Sequence, residues 1–130
     1  MKKSQLLFVV LFGVSSAFAS GPRNDSNMTV DWAKAEQSYI ANLRSDNTGV
    51  KVSAANFIRK YKLTGAADEL KSLLTKENAD NVKMSAALAL VTVCGNDGRT
   101  CVEKALEQEE SEIVVEFYRS ILHTSDITER

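Results

Sequence analysis

An internal echo constrains this chain more than any other feature: Gly49-Val50-Lys51-Val52-Ser53-Ala54-Ala55 returns 32 residues later as Asn81-Val82-Lys83-Met84-Ser85-Ala86-Ala87. Self-similarity at a spacing of a few tens of residues marks a chain built from supersecondary units, each too small to bury its own apolar face. Apolar residues continue at matching places, with Val50, Ala54, Phe57, Ile58 and Tyr61 in one copy and Val82, Ala86, Ala89, Leu90 and Val93 in the next. Steps of 0, 4, 7, 8 and 11 trace one face of an α-helix. A further shift of 32 lands on Val114, Tyr118, Ile121 and Leu122, which keep those steps after the motif letters are lost, so a third, degraded copy is expected.

Between these helices, Leu70, Leu73 and Leu74 match Val102, Ala105 and Leu106 at the same shift. Trp32, Ala35, Tyr39, Ile40 and Leu43 form a first helix of the same kind. Six helices in three hairpins are therefore predicted. Thr64 is placed to cap one of them, and Thr100 with Glu103 to form a capping box for another. Turn and cap residues cluster at 45–49, 63–65, 78–81, between the two cysteines and at 109–111. The single proline, Pro22, lies outside every predicted helix, and nothing alternates with period two long enough to suggest a sheet.

The run Asp80-Asn81-Val82-Lys83 followed by Ala86-Ala87, and more loosely Asp46 through Ala55, resembles the Asp-x-Val-Arg-x-x-Ala-Ala start of a second helix in short-period HEAT-like repeats. The resemblance spans residues 29–123. It implies an all-α fold in which three stacked helical hairpins form a short right-handed α-solenoid. In that family the second helices face inward, which would put Lys51, Asn56, Arg59 and Lys83 on a concave surface. The family also implies a protein-interaction scaffold rather than an enzyme, with another protein as partner.

The chain begins with Met1-Lys2-Lys3, continues with an apolar run from Leu6 to Val14, and reaches Ala17-Phe18-Ala19 just before Ser20. That order reads as a secretory signal over residues 1–19, cleaved to leave a flexible segment over 20–28, the repeat domain over 29–123 and a tail over 124–130. The apolar run is too short to span a bilayer, so no stable membrane insertion is expected after cleavage. The Lys-Lys start is of bacterial type and points to a periplasmic or secreted protein. In an oxidising compartment the only two cysteines, Cys94 and Cys101, are expected to close a structural disulfide across a flexible loop. Their spacing is not the Cys-x-x-Cys of a redox site.

With sixteen basic and seventeen acidic residues the net charge is −1, so no global field draws the chain to nucleic acid. The charge is uneven, however: residues 20–99 hold nine acids and eleven bases, whereas residues from 100 onward hold eight acids and three bases. Solvated helix ends account for much of this. Two cysteines and the lone His123 fall short of a zinc ligand set, no phosphate loop or nucleophile elbow occurs, and no cofactor or metal is expected. His123 is placed at the end of the last helix, where it suits the dipole.

In the third copy, Ile113 stands where the earlier ones have Gly49 and Asn81, and Phe117 stands where they have Ser53 and Ser85. Apolar residues at positions polar elsewhere suggest a docking or dimerisation patch, opposed by the simpler reading that a terminal unit packs differently. The expected role is thus a non-catalytic interaction module of the bacterial envelope. A small accessory, inhibitor or chaperone-like subunit, and a disulfide-based sensor, are the alternatives.

Overall fold

At each break between helices, a side chain or a special backbone conformation takes over backbone groups that a helix end leaves without partners. The structure is a computed structural model that describes residues 29–128, with side chains through Thr124. The export signal and the 20–28 segment lie outside the described residues, among which there are six helices and no strand. These are α1 (Trp32–Leu43), α2 (Thr48–Tyr61), α3 (Ala67–Lys76), α4 (Asp80–Cys94), α5 (Asn96–Gln108) and α6 (Glu112–Thr128), with a 3-10 turn, Thr64–Ala66, leading into α3. All belong to a unit that begins at Trp32. The described residues are all-α, in keeping with their 3.6-residue periodicity. None of the described helices is long and apolar enough to cross a membrane.

Helix α2 starts because Asn47 accepts a hydrogen bond from the Val50 amide at 3.1 Å, and it stops at Lys62, whose φ of 51° is left-handed. Lys62 N–H donates to the Arg59 carbonyl and Leu63 N–H to that of Ile58, the paired closure of a helix end more often built on glycine. Thr64 does not cap α3. It opens the 3-10 turn, and the donor there, Gly65 N–H, is taken by the Glu36 carboxylate of α1 at 3.2 Å.

The largest departure from expectation is the segment between the cysteines. It is not a flexible loop: Gly95 alone joins α4 to α5, and the chain is helical again from Asn96. Gly95 carries φ 55° and ψ −125°, a conformation that side chains disfavour, so one residue makes the whole reversal. Thr100 is therefore inside α5, with its hydroxyl donating to the Asn96 carbonyl, and does not form a capping box. Cys94 is the last residue of α4 and Cys101 lies in the second turn of α5. Both are free thiols, and the expected bond between them is not formed. Helix α6 runs past His123 to Thr128, so this histidine is not at a helix end.

Helix α4 is the hub. It packs against α2, α3, α5 and α6, and Val82, Ala86, Ala87, Ala89 and Leu90 are all buried. A helix apolar on several faces is stable only when surrounded. Contacts also join α1 to α2 and α5 to α6, and link α1 to α3 and α3 to α5. The paired alanines Ala54-Ala55 and Ala86-Ala87 are buried in the core, where longer side chains would overpack.

A half-buried charge unit recurs with the 32-residue spacing. The Glu77 carboxylate, just beyond α3, accepts from the amides of Asn78 and Ala79 and from Lys51 Nζ of α2. Thirty-two residues on, Glu109 accepts from the amides of Glu110 and Ser111, and from Lys83 Nζ of α4 at 3.0 Å. The first copy replaces the acid with Ser45, whose hydroxyl accepts from the Asn47 amide, and the last replaces the lysine with Val115. Neither end of the series strands an unpaired buried charge.

Candidate functional site

The same spacing shows which surface is anomalous. On α4, Val82 and Ala89 are fully buried and Val93 is half-buried. One unit earlier, on α2, the corresponding residues are Val50, Phe57 and Tyr61, and all three are exposed, Phe57 to 41%. They were expected as core. Only Ala54 and Ile58 of that predicted face are buried, because α4 packs against four helices whereas α2 packs chiefly against α1 and α4.

Helix α1 completes the exposed face. Tyr39 stacks on Phe57 with ring centroids 5.3 Å apart, and Phe57 lies parallel to Tyr61 at 6.2 Å. Trp32 tilts against Tyr61 at 4.8 Å and is itself 46% exposed. Lys60 Nζ sits 5.2 Å from the Tyr61 ring centre, a cation over a π face. Four aromatic side chains thus fix one another's rotamers while keeping surface in water. The cost of that exposure, at about 25 cal/mol per Å² of apolar area, is what covering the face would recover.

Two depressions meet at Ser53 and Phe57. One, of about 490 Å³, runs over Tyr39, Asn42, Asn47, Val50 and Phe57. The other, of about 650 Å³, is lined by Ser53, Asn56, Phe57, Arg59, Lys60 and Thr92 and has no acid in its wall. Arg59 Nε is buried there without a hydrogen-bond partner. The arrangement offers an apolar floor and a cationic end.

The residues singled out from sequence are not all brought together. Asn56 and Arg59 share the larger depression. Lys51 and Lys83 lie elsewhere in chemical terms: their side chains are only 17% and 15% exposed and their ammonium groups are engaged by Glu77 and Glu109. On α6, Phe117 turns against the core, leaving Ile113 as an isolated exposed residue at 59%. An isolated exposed isoleucine is common on protein surfaces. Trp32, Tyr39, Phe57 and Tyr61 were missed as a face because helical periodicity counted them as core. The available signal was size, since Phe57 and Tyr61 stand where the next unit has Ala89 and Val93.

A third depression, of about 210 Å³, is lined by Glu77, Asn78, Lys83, Gln108, Glu109 and Glu110, but Glu77, Lys83 and Glu109 are already engaged by charge partners and backbone amides. Burial raises the Glu77 and Glu109 carboxyls, and the lysine and amide hydrogen bonds more than offset it, so both lie below the ordinary value of 4.5. The Cys94 thiol is pushed above its ordinary value, chiefly by burial, which leaves it a weak nucleophile at neutral pH. The chain matches no family model, no curated protein and no solved structure, so its function is read from its own chemistry.

Proposed function

We propose that the chain is a non-catalytic interaction module of HEAT-like type, in which three helical hairpins stack as a short right-handed solenoid, exported to the bacterial envelope, that works by docking another protein. The observation that carries the architecture is the recurrence at 32 residues of one half-buried unit, a glutamate beyond a first helix tied to two amides and to a lysine of the preceding second helix. Nearest-neighbour stacking generates such recurrence, because each junction is the same junction repeated. The docking role is supported by an exposed aromatic face at a position that other units bury.

The reading is tested by placing a photo-crosslinking residue in turn at Phe57, Glu103 and Ile113 of the full chain in its own cells. A discrete adduct with another protein at one position is expected. No adduct at any of the three would overturn a binding role. The sensor alternative is less well supported, since the raised Cys94 thiol is poorly suited to fast exchange.

A further inference from the structure

We propose that the aromatic face of α1 and α2 receives an acidic amphipathic helix from a different protein, lying where the second helix of a preceding unit would lie. The inference deepens the docking role and rests on it. Val50 and Phe57 occupy the register of Val82 and Ala89, which are fully buried on α4, a helix with more helical neighbours than α2, so the open face has the pattern of a helix-receiving surface without its helix. Phe57 and Tyr61 in place of Ala89 and Val93 enlarge the apolar contact available to a partner.

Charge selects the occupant. Residues 32–63 hold six bases and two acids, a net of +4. Arg44 and Lys51 are engaged by Glu69 and Glu77, and Arg59 and Lys60 stand in the wall of the larger depression, where Arg59 Nε has no acceptor. A partner carboxylate would pair with the charges of these two side chains at the wall of the depression. Two arrangements of this chain with itself fit poorly. Face-to-face pairing opposes two surfaces of the same positive charge. Head-to-tail pairing sets the aromatics against α6, where Glu116, Arg119 and His123 are exposed at positions that α2 and α4 fill with Val52 and Met84, Ala55 and Ala87, and Arg59 and Val91. Complementarity therefore calls for a foreign helix with an apolar stripe and acidic flanks, the helix-in-groove mode.

The experiment uses the chain's only tryptophan, Trp32, which lies in the face. Two synthetic peptides are titrated into the full chain: an amphipathic helix with a leucine stripe flanked by glutamates, and the same peptide with lysines replacing them. The acidic peptide should shift Trp32 emission to the blue, saturably, and bind at least about tenfold more tightly than the basic one. The double variant Arg59→Glu/Lys60→Glu, which leaves the apolar floor intact, should reduce that preference by about tenfold or more, and Phe57→Ser should weaken both peptides by a similar factor. Equal binding of the two peptides, preference for the basic one, or no binding of either overturns the proposal. So does a dimer in sedimentation that Phe57→Ser abolishes, since the face would then belong to a second copy. An adduct from a crosslinker at Ile113 alongside failed peptide binding would sink this inference and leave the docking role standing. Absence of adducts at every position would sink the docking role itself.

Discussion

Gly98 shows at the scale of one residue how closely two helices approach. It is buried on α5, and a Cβ built on it would lie 2.2 Å from the Leu90 carbonyl oxygen of α4. That obstacle is backbone, which cannot swing aside. Gly98→Ala should therefore destabilise the chain by about 2 kcal/mol or more, measured as a lower urea midpoint, although alanine is the better helix former. Tyr118 argues in the other direction. Its ring is fully buried on α6, its hydroxyl has no hydrogen-bond partner, and burial, together with Glu109 and Asp80, holds the phenol well above its ordinary value. Tyr118→Phe removes a desolvated group and keeps the ring, so stability should be unchanged or rise by up to about 1 kcal/mol. A clear loss would mean that the hydroxyl is satisfied in solution.

Between elements, the recurring lysine–glutamate unit decides how one helix pair is fixed to the next. Glu109 is nearly buried, so removing its cation leaves a charge without its partner. Lys83→Met should cost about 2 to 3 kcal/mol, whereas the double change Lys83→Met/Glu109→Gln should cost less than the two single changes summed. The unit also sets the acid response. Because Glu77 and Glu109 titrate below 4.5 in the folded chain, their contribution is present in full above that value and is lost as pH falls through the depressed folded values. The urea midpoint should fall as pH is lowered below about 4.5, and fall less steeply in Lys83→Met. The cysteine segment belongs to this scale too. The composition of Gly95-Asn96-Asp97-Gly98-Arg99-Thr100 predicts a flexible loop, because both glycines and the polar residues favour turns, yet only Gly95 turns the chain. Gly98 serves contact rather than flexibility, and composition alone does not distinguish the two uses.

Across the whole molecule, the two ends of the helical series are finished differently. Helix α6 carries the exposed, charged Glu116 and Arg119 where α2 and α4 carry Val52, Ala55, Met84 and Ala87, a polar finish of the kind the proposed stack would need at its end. The α1–α2 end carries aromatics instead. If the ends are those of a stack, Glu116→Val/Arg119→Ala rebuilds an apolar junction surface at the polar end. The variant should then self-associate with rising concentration in sedimentation velocity, and a further Phe57→Ser change should reverse it. Persistence of a monomer at all concentrations would argue against the stacked arrangement.

The all-helical class, the breaks near 45–49, 78–81 and 109–111 and the 32-residue recurrence were legible in the chain alone, because helical period and cap chemistry are local properties. Lys51 and Lys83 were also legible as a repeated pair, but not their engagement by Glu77 and Glu109, which lie 26 residues away and meet them only through packing. Likewise Val50, Phe57 and Tyr61 follow the same pattern as Val82, Ala89 and Val93. Periodicity says which residues share a helix face, but whether another helix stands opposite that face is settled by tertiary neighbours, and α2 lacks the one that α4 has.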